Sequence, residues 1–209
     1  MRISGSLWSV PVQGQAGALV NAVEAGLATV HWDCTDGRFA GPGGFSSDRA
    51  LSLLAHAPGV ESEAHLMLDE PLSQVDQWAD LSSTIVVPVE IDNPWAALRR
   101  AEARGAQPAL AVSLETPLEL VPHGAFAVLL MAIPPGRAGS QFAFNAVNRV
   151  AELSSRGCHA LVGVDGGVGP AEFESLSEAG ADWIVSGTSL FSAPDIGAWL
   201  DLCYGVFRH

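Results

Sequence analysis

Glu24-Ala25-Gly26-Leu27-Ala28-Thr29-Val30-His31 carries the pattern from which the fold is read. A helical segment ends in Gly, and a short apolar run begins at once. Glycine just past a helix takes the left-handed conformation that closes the last turn, so the junction reads as helix stop, then strand. The pattern returns at Ala103-Arg104-Gly105 before Ala109-Leu110-Ala111-Val112-Ser113, and at Ser155-Arg156-Gly157 before Ala160-Leu161-Val162-Gly163-Val164. It returns again at Glu178-Ala179-Gly180 before Ala181-Asp182-Trp183-Ile184-Val185, with weaker copies at Gly59 and Gly124 and a Gly-less one near Leu81. The seven junctions between residues 26 and 180 are spaced by about 26 residues on average. Eight such units need about 208 residues, and the chain has 209.

Strands are expected at roughly 2–8, 28–33, 62–67, 84–89, 108–113, 126–132, 160–165 and 182–186. Their runs are apolar on both faces, as strands covered by helices should be. Helical patterns fall between them, for example at 14–25, 46–56, 92–104, 143–155 and 170–179. Asn93 or Asp92 before Pro94 reads as a cap with Pro in the first turn. Eight β-then-α units over 1–209 predict a single-domain α/β protein, a (β/α)8 TIM barrel. An open doubly wound sheet competes, but no GxGxxG follows the first strand.

Composition narrows the function classes. There are 10 Lys+Arg against 23 Asp+Glu, a net charge of −13, with 48% hydrophobic and 16% charged residues. That is too apolar for a disordered chain. The acidic balance argues against nucleic acid and against anionic membranes as partners. Mean hydropathy is +0.26, yet the longest nearly apolar stretch, Phe126 to Pro135, is about half the ~20 residues of a spanning helix. It reads as a buried strand running into a loop. The N-terminus, Met1-Arg2-Ile3-Ser4-Gly5-Ser6, lacks the apolar core of a secretory signal. Cys34, Cys158 and Cys203 form no CxxC and no even disulfide set, which points to a reducing cytoplasm.

In a barrel, chemistry collects where the strands end. Strand 2 ends Val30-His31-Trp32-Asp33, and residues two apart on a strand share a face. Strand 3 ends Ala64-His65-Leu66-Met67, and strand 7 ends Val164-Asp165-Gly166-Gly167. Taken singly, a strand-end His is often a hydrogen-bonded structural residue, and an Asp before Gly-Gly a turn residue. Together His31, Asp33, His65 and Asp165 make a plausible four-ligand set for a divalent metal. Two Gly-rich segments, Pro134-Pro135-Gly136-Arg137-Ala138-Gly139-Ser140 and Ser186-Gly187-Thr188-Ser189, follow strands 6 and 8, where this fold cradles phosphate. At −13 the protein attracts a phosphate poorly at long range, so local amides and Arg137 must hold it. Cys34 alternates to the outer face. His123, His159 and His209 read as structural or solvent-facing, and the six tryptophans as core and subunit contacts.

These residues resemble the ribulose-phosphate 3-epimerases, metal-dependent barrels of pentose phosphate metabolism. The likeness runs from Ser6 to Phe191. Val30-His31-Trp32-Asp33-Cys34-Thr35-Asp36-Gly37-Arg38-Phe39 is similar to the family's HVDVMDGxF, and His65-Leu66-Met67 to its HLM. Thr116-Pro117-Leu118-Glu119, Leu130 to Gly136, Val164 to Val168, and Ala179 to Asp182 with Ser186-Gly187 complete it. The resemblance implies a ribulose-phosphate-binding barrel that interconverts D-ribulose 5-phosphate and D-xylulose 5-phosphate at C3 through an enediolate. It implies His31, Asp33, His65 and Asp165 as metal ligands, with Asp33 and Asp165 doubling as the acid–base pair. Ser6, His65, Met67 and Met131 would contact substrate, and Gly136, Arg137, Ala138, Gly139, Gly166, Gly167, Gly187 and Thr188 the phosphate. It further implies zinc, or else iron, manganese or cobalt, and a cytoplasmic homo-oligomer.

The chain departs from the family pattern at four places. Thr35 replaces a Met, Pro88 replaces a His before Glu90, and Arg137-Ala138 replace an aromatic and a Gly. Ala40-Gly41-Pro42-Gly43-Gly44-Phe45 lacks the family's Pro-Asn. These changes motivate two alternatives: 3-epimerisation of another ketose phosphate such as allulose 6-phosphate, or a paralogue that binds a sugar phosphate without turnover.

Overall fold

A computed structural model describes residues 1–124, 126–157 and 159–207; Cys158 and His209 lie outside these. All eight expected strands form. They are β1 (Arg2–Ser6), β2 (Thr29–Thr35), β3 (Glu61–Met67), β4 (Thr84–Pro88), β5 (Gln107–Val112), β6 (Ala127–Met131), β7 (Val162–Asp165) and β8 (Trp183–Ser186). They pair in parallel in chain order, and β8 pairs back onto β1 to close a barrel. Between them lie α1 (Gln15–Glu24), α2 (Ser47–Leu54), α3 (Val75–Ala79), α4 (Pro94–Ala103), α5 (Asn145–Ser155) and α6 (Phe173–Glu178), with α7 (Thr188–Phe191) and α8 (Ile196–Val206) after β8. The chain folds as a (β/α)8-type barrel. Gly26, Gly105, Gly157 and Gly180, the four junction glycines, have φ of 109°, 85°, 60° and 86°. The helix-stop reading therefore rests on a real left-handed turn. Asn93, not Asp92, caps α4, its side chain accepting from the Ala96 N–H at 3.2 Å.

The fifth unit differs. Among the described residues, only one 3-10 turn, Leu118–Leu120, lies between β5 and β6. The connection is short and broken by Pro117 and Pro122, which cannot donate within a helix. Arg149 of α5 and Arg156, the residue just past its end, satisfy carbonyls there. Arg149 donates to the Ser113 carbonyl at 3.3 Å and to that of Thr116. Arg156 donates to those of Val121 and Leu118 at 2.8 and 3.0 Å.

The expectation of strands apolar on both faces holds outside the barrel and fails inside it. Outer faces pack under helices in two clusters, one around Trp32, Cys34 and Trp78, the other around Phe173, Leu190 and Trp199. The inner face is divided. Val86, Ala109, Ala111, Ala127, Leu129, Trp183 and Val185 fill one side as an apolar cluster. Ser4, Ser6, Thr29, His31, Asp33, Glu63 and His65, from β1 to β3, are buried on the other. Inner residues face one another rather than helices, so polar groups survive there by pairing among themselves. The Trp183 indole fits because β7 carries Gly163 opposite it, where a Cβ would lie 2.6 Å from the ring. Among the described residues no helix is long and apolar enough to cross a membrane.

Candidate metal centre and active site

Strand alternation sends His31 and Asp33 inward from β2, and His65 from β3 meets them beside Asp165, the last residue of β7. One ligand atom from each of the four lies within 4.8 Å of the others. His31 Nε2 is 3.5 Å from Asp33 Oδ1 and 3.9 Å from Asp165 Oδ2. His65 Nδ1 is 4.0 and 3.8 Å from the same two carboxylates. All four residues are buried. Both imidazole atoms, His31 Nε2 and His65 Nδ1, have no hydrogen-bond partner. Orphaned buried nitrogens are costly unless something else binds them. A tetrahedral divalent ion with ligands at about 2.0–2.2 Å has edges of roughly 3.3–3.6 Å, so the four imidazole–carboxylate separations are already near those an ion would impose.

The electrostatics agree. Burial disfavours charge on His31, but the Asp33 and Glu63 carboxylates beside it outweigh burial and hold its pKa well above the usual histidine value. Burial likewise pushes Asp33 up. The charges of His31 and His65 and the Ser6 hydroxyl pull it below the ordinary carboxylate range. The buried carboxylates thus favour positive charge at this point of the barrel.

Ser6, which the sequence reading assigned only by resemblance, donates its hydroxyl to Asp33 Oδ2 at 2.6 Å and fixes that carboxylate. Glu63, which that reading did not single out, lies 2.7 Å from His31 Nδ1. The signal was available. Glu63 stands two residues before His65 on one strand and so shares its inward face, where a charge needs partners.

Above the cluster opens a cavity of about 280 Å³. Ser6, Asp33, Asp165, Met67 and Met131 reach it from the strand ends. The β6–α5 loop contributes Gly136, Arg137, Ala138 and Gly139; Gly166 and Gly167 follow β7, and Gly187 and Thr188 follow β8. His31 and His65 lie outside the cavity lining, with the ligand cluster. Sequence reasoning gave no site role to Trp8, Ser9, Ile133 and Val168, which also line the cavity, while Ser140 and Ser189 extend the two Gly-rich segments. Trp8 is thus a cavity wall rather than a core or subunit contact. Thr35 does not line the cavity; its hydroxyl donates to the Gly43 carbonyl at 2.9 Å and holds the β2–α2 loop. Asp36 joins two loops, accepting from the Arg38, Phe39 and Asp69 N–H groups at 2.8, 3.0 and 2.9 Å. Cys34 packs outside the barrel, where burial pushes its thiol up to about 11, and neither His123 nor His159 lines the cavity.

A sequence model of the ribulose-phosphate 3 epimerase family matches residues 2–191. The cytoplasmic isoform of ribulose-phosphate 3-epimerase from Oryza sativa subsp. japonica is 27% identical over 205 residues, covering 94% of this chain and 90% of the relative. Ribulose-phosphate 3-epimerase from Mycobacterium bovis is 30% identical over 183 residues, covering 83% and 79%. Among solved structures, 3-hexulose-6-phosphate synthase from Salmonella typhimurium superposes with a TM-score of 0.73 at 13% identity, over 99% of this chain and 98% of that one. At such identity the likeness speaks for the barrel alone. The match across nearly the whole chain, with the enzymes that share it, makes this protein an isomerase belonging to the ribulose-phosphate 3-epimerase family.

Proposed function

We propose that the chain interconverts D-ribulose 5-phosphate and D-xylulose 5-phosphate at C3, with a divalent ion held by His31, Asp33, His65 and Asp165. One observation carries the reading: two carboxylates and two unpartnered imidazole nitrogens converge under a cavity whose far wall is Gly-rich loop. An ion in this set supplies positive charge to stabilise the negative charge that develops on the substrate oxygens. Asp33, held ionised by its neighbours, accepts the C3 proton in one direction. Asp165 returns a proton, and the roles exchange in the reverse direction. Ser6 fixes the Asp33 carboxylate, Met67 and Met131 exclude water from the floor, and the glycines of the three loops let the phosphate approach the backbone. Two imidazoles with two carboxylates suit zinc, with iron, manganese and cobalt as the other candidates. Buried free thiols at Cys34 and Cys203 support a reducing, cytoplasmic setting, and we expect a homo-oligomer by family resemblance.

The test is isotope exchange. Zinc-loaded protein with ribulose 5-phosphate in D2O should place deuterium at C3, read by NMR, and chelation should stop it. No exchange would defeat the assignment, and faster exchange with allulose 6-phosphate would move the substrate to a six-carbon ketose. Arg137 is the single Lys or Arg among the described lining residues. Arg137→Ala should raise KM about 10-fold or more with kcat little changed, as the loss of one charge-assisted hydrogen bond. An unchanged KM would show that backbone alone holds the phosphate.

A further inference from the structure

The closed end of the barrel holds a second polar group, which the reaction does not touch. Arg2 and Trp183 open β1 and β8, and Thr84 and Gln107 open β4 and β5. Arg2 Nη1 donates to Glu63 Oε2 at 3.3 Å and to Thr84 Oγ1 at 3.1 Å, and its Nη2 donates to Gln107 Oε1 at 3.3 Å. The guanidinium carbon lies 5.4 Å from the centre of the Trp183 ring. Trp183 Nε1 donates to Glu63 Oε1 at 3.1 Å and to Ser4 Oγ at 3.2 Å. His31 Nδ1 meets the same Oε1 at 2.7 Å. Glu63 is fully buried.

A buried carboxylate persists only when its charge is paired and its oxygens are occupied. Here Arg2 holds one oxygen while Trp183 shares the other with His31. With both oxygens held, the carboxylate cannot turn. His31 must then donate from Nδ1, which leaves Nε2 aimed at Asp33 and Asp165. The Trp183 indole is itself seated against Gly163 and Leu129, whose neighbouring atoms leave no room for a Cβ at residue 163.

We propose that Arg2 and Trp183 are positioning residues for the metal centre, acting through Glu63 on His31 from the opposite end of the barrel. This rests on the four-ligand reading above. A carboxylate that orients a metal-bound histidine is commonly worth about 10–100-fold in metal affinity, and its clamps should share that effect.

The experiment compares wild type with Trp183→Phe, which removes the indole N–H and keeps an aromatic ring, and with Arg2→Met and Arg2→Lys. Zinc affinity is measured by chelator competition with zinc alone. In the metal-free proteins, labelled with 15N-histidine, the His31 Nδ1 proton is followed by NMR. Wild type should show that proton far downfield and in slow exchange with water. Trp183→Phe and Arg2→Met should move or broaden it and weaken zinc binding about 10-fold. Arg2→Lys, which keeps a cation for Glu63, should recover most of both. A purely structural role would lower the melting temperature and leave the resonance and the affinity unmoved in the folded variants. Either readout unchanged in Trp183→Phe, together with Arg2→Met if it folds, overturns the proposal. If wild type binds no zinc, the four-ligand reading fails, and the resonance alone decides whether Arg2 and Trp183 position His31.

Discussion

Asp33→Asn and Asp165→Asn each leave the barrel folded and lower deuterium exchange at C3 by about 10³-fold or more, within the usual span of a positioned acid or base. The substitution changes shape little, and the amide oxygen still accepts a hydrogen bond. At residue 33 the Ser6 hydroxyl, 2.6 Å from the carboxylate, keeps an acceptor. What is lost is the ability to take and return a proton. Both carboxylates also stand in the ligand cluster, so the zinc content of each variant must be measured beside the rate. A variant that keeps its zinc and loses exchange isolates proton transfer. Exchange within about tenfold of wild type, less than a positioned acid or base normally contributes, would refute the two-carboxylate assignment.

The largest expected stability effect lies at Gly44. The β2–α2 loop folds back on β2, where the Phe45 N–H donates to the Asp33 carbonyl at 2.7 Å and Gly44 bridges to Cys34. Gly44 has φ of 75°, and a Cβ there would sit 2.2 Å from the Asp33 carbonyl oxygen. Backbone cannot yield as the end of a flexible side chain can. Gly44→Ala should therefore cost about 3 kcal/mol or more, combining left-handed strain with overpacking. In a chain of this length that lowers Tm by roughly 6–12 °C. Zinc binding should weaken too, because relief of the clash moves the Asp33 peptide. Gly59→Ala is the control: φ is 87°, but nothing lies within 4 Å of the added methyl. It should cost only about 1 kcal/mol. Equal losses in the two variants would show that strain alone, and no clash, acts at Gly44.

Much of the barrel is legible along the chain because its signals are local. A Gly stop followed by an apolar run needs only neighbouring residues, and it located six of the eight strands, β1 and the Gly-less β4 being read from their apolar runs alone. The same locality misled at the fifth unit. An average spacing predicts a helix that the segment around Pro117 and Pro122 does not form, and the Arg149 and Arg156 contacts that replace it come from another element. In the site, His31 with Asp33 was readable because a period of two applies within one strand. Trp8 was not read as a wall, since a Trp two residues past a strand resembles any core aromatic until the mouth has formed around it.

The deepest division runs through Glu63. Stop signals, apolar runs and alternation determined a barrel, its strand ends and four candidate metal-ligand side chains, because each is written within a few consecutive residues. Only closure of the barrel decided which partners those residues keep. Glu63 meets His31 from 32 residues away and Trp183 from 120, and those distances depend on how eight strands stagger around one axis. Local pattern carries no information about that stagger, so the orientation of His31 belongs to the tertiary structure.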